Sequence, residues 1–512
     1  MNERRSTLAQ EADAIVIGAG PNGLVAAIAL AQAGMAVQVL EAQDRPGGAV
    51  WTHQPAAPGF HHDLGASFFP FGRKSPAFVS LQLETEGLRW CEAPIDSLHP
   101  APDGSFAALT RDPARRARLL GNNADGHAWA RLIDWHARHE PALIDLFLGS
   151  LGSLRPLWRL GPAALFRLAS TLARSGRSLS EQLFISEPAR RVLPGLALHV
   201  DAGPDDTFGA GIGYMLGVFC GTGGFPFPAG GAGALTEALL ARLHRLGGAV
   251  ATGQRVEQIR VEGGRAVAVR TSTGEQLGAR HAIVANTGAP ALLLRLLDAQ
   301  HVSPRVLSAM RRFPYGWGTF KVDWALSGPT PWSVAEGYES AVVHAGDSME
   351  DLARFTRQVR AGDLPDRPYL VIGQHSVGDP SRAPAGAHTL QAYTRVPTAP
   401  PGGWARSAEL LADRMEARIE ELAPGFRSRI LARHITTPEG LEALDENLVG
   451  GDLGGGSNAW HRQLIFRPVF PHFRYRMPVG GLYLCSSYAH PGAGVHGMGG
   501  WNAAAAVLAD AG

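Results

Sequence analysis

The hydrophobic pattern opens with a short apolar run, Asp13 to Ile17 (DAIVI), of the kind that fills a buried parallel strand. GAGPNG follows at once, then LVAAIALAQAG, then AVQVL and Glu41. The pattern predicts strand, glycine turn, helix, strand, acidic residue. From Phe227 to Gly288 it predicts a turn, an amphipathic helix, a strand, a hairpin through Gly263-Gly264, a turn at Gly274 and a last strand, HAIVA. GTFKVDWAL, around Lys321, alternates like a strand. Near the far end GLYLC reads as a strand and WNAAAAVLADA as a helix-like run. No internal repeat or low-complexity tract stands out.

Composition narrows the class. The chain has 512 residues, 45% hydrophobic and 18% charged, enough to bury a sizeable core without a disulfide or metal staple. Lys+Arg is 47 and Asp+Glu 46, a formal net charge of +1, which argues against a nucleic-acid partner held by bulk charge. Lys74 and Lys321 are the sole lysines, so there are few candidates for a Schiff base. Cys91, Cys220 and Cys485 are far apart and form no CxxC pair, which argues against a dithiol centre and fits a reducing, cytoplasmic compartment. The opening MNERRSTLAQEAD lacks the apolar core of a signal peptide, and no stretch reads cleanly as a spanning helix. No His, Asp or Glu cluster has metal-ligand spacing, so no metal is expected.

The glycine turn carries specific chemistry. Gly18 allows the tight turn, Gly20 lets the backbone approach a pyrophosphate, and Gly23 lets helix and strand pack closely. The first-turn amides and the helix dipole favour phosphate charge. Glu41, 23 residues after Gly18, stands where a carboxylate accepts hydrogen bonds from ribose hydroxyls. A lone GxGxxG is weak; one with the right strand, helix and acidic residue around it is strong. Arg45-Pro46-Gly47-Gly48 follows and resembles the RxGG extension of FAD-binding enzymes of the glutathione-reductase-like class, where glycine amides extend the pyrophosphate cradle and the arginine adds charge. A second glycine string, GAGVHG from Gly492 to Gly497, lacks a following strand and acidic residue. It reads as the flavin-facing segment of the same class, not as a separate NAD(P) site.

Taken together, GAGPNGLVAAIALAQAG, EAQDRPGGAV, PGFHHDLGASFF, FPAGGAGALTEAL, HAIVANT and GLYLCSSYAHPGAGVHGMGGWNAA resemble the phytoene desaturase-like FAD oxidoreductases. The likeness is strongest to their branch labelled by a pyridine nucleotide-disulfide oxidoreductase domain, although this chain lacks the dithiol that label suggests. The resemblance implies an α/β fold in which a glutathione-reductase-like Rossmann FAD domain interleaves with a mixed sheet–helix substrate domain. The expected division is 1–80, 220–310 and 452–512 for FAD, with 81–219 and 311–451 for substrate. It implies FAD contacts at Gly18, Gly20, Pro21, Asn22, Gly23, Glu41, Ala42, Arg45, Gly47, Gly48, Ala49, Val256, Ala285, Ser487, Gly494, Val495, Met498 and Gly499. Many relatives carry Gly-Asp after the final strand where this chain has Ser486-Ser487, which offers a hydroxyl but no carboxylate.

With flavin carrying the hard chemistry, no catalytic triad is required. Lys321, on its strand ahead of Pro331-Trp332, matches by pattern a lysine of amine-oxidase-like relatives that holds a water near the flavin; a cation there favours electron transfer to dioxygen. The alternative is an ion pair with Asp323. His61 and His62, before Asp63, are candidates for a general base, and Tyr488, His490 and His496 for shaping the site; each has a structural-histidine or core alternative. Tyr315, Trp317 and Trp324 are candidates for an apolar tunnel or for core. The apolar stretch Pro141 to Gly176, with Arg155, Arg159, Arg167 and Arg174, is either a lid or membrane-peripheral patch, or helices packed on the core with Arg heads in solvent. The expected activity is hydride transfer between a lipophilic or polyene-like small molecule and FAD, with dioxygen or a quinone as electron acceptor. A flavin amine oxidase and a non-redox lipid-escort protein resembling the Rab GDP-dissociation inhibitors are the competing readings.

Overall fold

The computed structural model describes residues 9–512; the first eight residues, part of the stretch read for a leader, lie outside it. Two seven-stranded sheets organise the chain. In the first, strand Glu11–Ile17 (β1) lies between Val37–Leu40 (β2) and Gln276–Ala285, parallel to both. All four β2 residues and nearly all of β1 are buried, which is why both read as apolar runs. Helix Pro21–Gln32 (α1) makes the crossover, with Gly20 at its N-cap and Pro21 in the first turn, where a missing N–H costs nothing. The hairpin Val256–Glu262/Arg265–Thr271 turns at Gly263 and Gly264, both at positive φ, as the sequence predicts. Its second strand pairs with the N-terminal half of Gln276–Ala285, whose C-terminal half pairs with Leu482–Leu484. The far end of the chain thus enters the sheet beside the nucleotide strand.

The second sheet runs in the order 430–436, 318–326, 388–396, 370–373, 342–345, 97–100, 106–109, antiparallel at every pairing except 342–345 with 97–100. One face packs on a separate core of Phe320, Val322, Trp324 and Leu390 against helix Trp404–Leu422. Strand alternation puts Trp324 on that face, with its indole donating to Glu416 at 3.0 Å. Its candidacy for a tunnel wall is therefore corrected: it is core. The other face carries Gln391, Tyr393 and Arg395 toward the first sheet's ligand edge.

The last helix, Met498–Ala511, crosses α1 at very short range. A Cβ on Gly500 would stand 1.9 Å from the Asn22 carbonyl oxygen, and one on Gly499 2.5 Å from the Cys485 carbonyl. No side chain fits at either place. Backbone meets backbone there, and rigid backbone cannot yield. Gly500→Ala is therefore expected to cost about 2 kcal/mol or more in denaturant unfolding, in line with overpacking of a tight core. An unchanged midpoint would refute this contact.

Candidate functional site

The two chain ends and the second sheet enclose one cavity of about 1030 Å³. That is at the upper end for a single small ligand. Ile17, Gly18, Gly20, Pro21 and Asn22 line it from the nucleotide turn, and Gly494 and Val495 from the segment before the last helix. Gly18 has φ +93°, open to glycine alone at little cost, and its N–H donates to the Leu40 carbonyl at 2.7 Å. Asn286, at the end of Gln276–Ala285, packs under the turn: added Cβ atoms on Gly18 and Gly20 would meet it at 2.9 and 2.8 Å. On Gly23 a Cβ would stand 2.1 Å from the Gly18 carbonyl. The cradle is thus bare main chain, held open for a ligand.

Both Glu41 carboxylate oxygens accept main-chain N–H groups, from Ala19 at 2.7 Å and Gln43 at 2.9 Å. Burial raises its pKa, and these bonds work against that rise. The Arg45 guanidinium lies 3.5 Å over the Trp51 ring, a stacked cation at the cavity edge. Asn22 Oδ1 is buried without a hydrogen-bond partner, beside the cradle. A buried orphan acceptor is costly to the protein alone and fits a ligand bringing hydroxyl or amide donors. Bare glycine amides, two helix starts and the ribose-side carboxylate fit an FAD pyrophosphate and sugar.

The predicted cofactor residues divide in two. Gly18, Gly20, Pro21, Asn22, Glu41, Ala42, Arg45, Gly48, Ala49, Val256, Ser487, Gly494 and Val495 line the cavity. Gly23, Gly47, Ala285, Met498 and Gly499 stand behind that lining and allow close packing there. The Ser486 hydroxyl donates to the Thr287 carbonyl at 2.7 Å and so is engaged within the protein. The Ser487 carbonyl accepts from the buried Arg467 guanidinium.

The catalytic candidates divide similarly. Tyr488 and His490 line the cavity. Tyr488 donates its hydroxyl to the Asn447 carbonyl at 2.8 Å. His490 Nε2 donates to the Gly149 carbonyl at 3.1 Å, and burial lowers the ring's pKa to about 4, so it is neutral with Nδ1 unprotonated. The other four stand away from the cavity wall. Lys321 is buried and ion-paired with Asp323, as strand spacing of two residues on one face dictates. His62 Nδ1 lies 3.2 Å from the same carboxylate. Lys321 sits opposite Tyr393 in the sheet, one strand removed from the cavity. Its reading as a cation free to face the ring is corrected to the ion-pair alternative. His61 meets the Arg382 carbonyl through its main-chain N–H. His496 accepts from the Met498 N–H at 3.1 Å and so orders the start of the last helix. Tyr315 and Trp317 also lie outside the lining.

Sequence reading missed the wall supplied by the second sheet. Tyr393, Arg395 and Gln391 line the cavity together with His199. The Tyr393 hydroxyl meets His199 Nδ1 at 3.0 Å, His199 Nε2 meets His344 Nε2 at 2.7 Å, and Ser97 joins His344 to His99 at 3.0 Å on each side. Burial lowers the His199 pKa to about 3, with Arg395 adding to it, and raises Tyr393 to about 12, so this chain is neutral near pH 7. The period-two polar pattern of QAYTR was the available signal, one that any half-buried strand shares.

These features define a dinucleotide-binding flavoprotein. The chain belongs to the flavin containing amine oxidoreductase family, whose model matches residues 22–508. It is similar to pyridine nucleotide-disulfide oxidoreductase domain-containing protein 2 of Mus musculus, 29% identical and covering 98% of this chain and 94% of that one. It is also similar to all-trans-zeta-carotene desaturase of Myxococcus xanthus, 28% identical over 94% of this chain and 90% of that one. Among solved structures, an oxidoreductase from Methanosarcina mazei superposes with a TM-score of 0.65 at 17% identity, covering 97% of this chain and 99% of the other. The protein is an FAD-dependent oxidoreductase, which sets the escort reading aside. Among the described residues no helix is long and apolar enough to cross a membrane.

Two outcomes test the site. Gly23→Ala should push the turn off Gly18 and leave the purified protein with under about a tenth of wild-type flavin, read by absorbance, as expected when a close backbone approach is blocked; full flavin would contradict the cradle. Asp63, buried, would have its pKa raised by burial, but Arg382 outweighs this and holds it at about 2. A lowered carboxyl stabilises above its unfolded pKa and loses that contribution as pH falls toward the folded one. Unfolding free energy should therefore drop by about 2 kcal/mol between pH 4 and 2 from this group, a slope that Asp63→Asn removes.

Proposed function

We propose that the chain oxidises a lipophilic, polyene-like substrate in this cavity, with dioxygen or a quinone taking the electrons from flavin. The observation that carries the reading is the cavity's composition. Beyond the nucleotide cradle, it is lined by Phe147, Leu172, Ile212, Met215 and Leu216, and at one margin by Phe208, Trp460 and Leu464, which are also 42%, 56% and 56% exposed. An apolar interior with an apolar, open margin suits a substrate that leaves a lipid phase. The likeness to a zeta-carotene desaturase supports the same class.

FAD held in the cradle would supply the acceptor for a hydride or electrons. The chain's own residues supply the rest. The apolar wall aligns the substrate and excludes water. His490 and the Tyr393–His199 pair are the groups proposed to accept the departing proton, because each is held neutral with a nitrogen or oxygen lone pair at the wall. Those of the residues assigned to FAD above that line the cavity are proposed as its ligands, with Gly23, Gly47, Ala285, Met498 and Gly499 packed behind them. The division into 1–80, 220–310 and 452–512 for cofactor and 81–219 and 311–451 for substrate is proposed because each of the two large sheets draws its strands from one of these sets.

Membrane-peripheral contact is proposed through the same margin. The helical segment Arg155–Leu172, broken by a kink at Gly161 (φ +71°), buries Pro156, Leu160, Ala164 and Leu168 but leaves Trp158 84% and Phe166 79% exposed. Its Leu172 reaches the cavity, and exposed Arg155 suits anionic headgroups.

The test is anaerobic addition of an acyclic C40 polyene in phosphatidylcholine–phosphatidylglycerol vesicles to purified holoenzyme. The flavin bands should bleach. Bleaching by cyclohexylamine alone would favour the amine-oxidase reading, and none at all would contradict both. The same vesicles should sediment wild type, and Trp158→Ser/Phe166→Ser should weaken that binding about tenfold or more, by loss of two inserted aromatic side chains; equal binding would contradict the peripheral contact.

A further inference from the structure

Arg395 is a buried cation without a counter-ion. It is 4% exposed and lines the cavity from strand His388–Val396. Its Nη1 donates to Thr319 Oγ1 at 2.6 Å and its Nη2 to the His199 carbonyl. Its Nε is buried with no partner. A guanidinium has five N–H donors, and two are spent on neutral acceptors. Among the described residues no carboxylate oxygen lies within 4.0 Å of it, unlike Arg382 and Arg418, which are paired with Asp63 and Asp347. Of the other arginines at the cavity, Arg255 pairs with Glu446, Arg45 has Asp445 and Glu41 nearby, and Arg295 is exposed.

An unpaired buried charge is expensive, and the cost falls when a ligand supplies the opposite charge. Its Nε–H is enclosed by protein, so the two Nη–H groups not spent on Thr319 and His199 are the pair left to a carboxylate at the cavity wall. The Tyr393 ring lies beside the guanidinium, with 5.5 Å from its central carbon to the ring centroid. One guanidinium balances one negative charge, which favours a carboxylate over a phosphate dianion.

We propose that Arg395 binds the carboxylate of an amphipathic substrate whose apolar body fills the rest of the cavity. This rests on the oxidoreductase reading above and narrows its substrate from any lipophilic molecule to a long-chain or polyene acid. The strand also sets a length. Gln391, four residues back on the same face, bonds to Ser67, whose neighbour Ala66 donates its N–H to the Ala49 carbonyl at 3.3 Å in the flavin segment. At about 3.3 Å per residue, the head at Arg395 stands about 13 Å from that flavin-side end.

The experiment measures calorimetric binding of laurate, methyl laurate and dodecyl phosphate to the FAD holoenzyme, each below its micelle concentration. Laurate should bind at least about tenfold more tightly than its methyl ester, the effect of one charge-assisted bidentate contact. Arg395→Gln should abolish the preference, and Arg395→Lys should keep part of it, since a point charge lacks the fork. Flavin content and thermal midpoint report folding of each variant. Should Arg395→Gln not fold, the wild-type comparison and Arg395→Lys decide. Equal affinity for acid and ester, an undiminished preference in Arg395→Gln, or stronger binding of dodecyl phosphate would overturn the proposal. Binding requires no turnover. Failure of flavin bleaching therefore counts against the redox reading alone, and bleaching by a neutral polyene with no acid preference counts against Arg395 alone.

Discussion

Packing too close to admit a Cβ at its glycines is the constraint on which the structure depends. The start of α1 and the start of the last helix touch where Gly500 faces the Asn22 carbonyl, and Asn286 fills the space under Gly18, Gly20 and Gly23. These contacts bring residues some 480 positions apart to one edge of a sheet. They leave two sets of glycine amides facing a shared space. A methyl group at Gly18, Gly23 or Gly500 would meet backbone, wedge the elements apart and remove the geometry a pyrophosphate needs.

The second sheet turns that nucleotide site into a substrate site. Its core-facing side, built on Phe320, Trp324 and Trp404, holds the sheet as a rigid wall. Its other side presents polar groups in strand register: Gln391, Tyr393 and Arg395, flanked by the Lys321–Asp323 pair one strand over. Two kinds of buried charge sit on this face. Lys321 and His62 both lie against the Asp323 carboxylate, and Asp63 is paired with Arg382 and accepts from the Thr52 hydroxyl and the Ala232 N–H. Arg395 is not so satisfied, and it is the one that lines the cavity. Paired charges hold the wall, and the unpaired one is left for a ligand.

Much of the nucleotide half was legible because its signals are local. A strand, a glycine turn, a helix and a carboxylate follow one another within about thirty residues, and each has its own physical reason for its residue type. The Gly263-Gly264 hairpin was legible for the same reason. The wall was not. Whether Lys321 or Tyr393 faces the cavity depends on which strand stands nearer the nucleotide edge, and alternation alone gives a side chain's face but never its neighbour across the gap. His199 reaches Tyr393 across 194 positions, a separation that leaves no trace in spacing. Trp324 illustrates the converse: one residue of offset from Asp323 carries it to the opposite core. The apolar stretch from Pro141 to Gly176 was ambiguous in sequence because its helices do both things proposed for it, packing Leu160 and Leu168 inward while exposing Trp158 and Phe166.

The central claim is that one FAD is held jointly by the amides near Gly18 and those near Gly494. Hydrogen–deuterium exchange, compared between flavin-stripped protein and the same protein reloaded with FAD, reads this directly. The account predicts that FAD protects residues 18–24, 41–49 and 494–500 together, with the same concentration dependence. Protection confined to the first two stretches, with 494–500 exchanging as in the stripped protein, would contradict it.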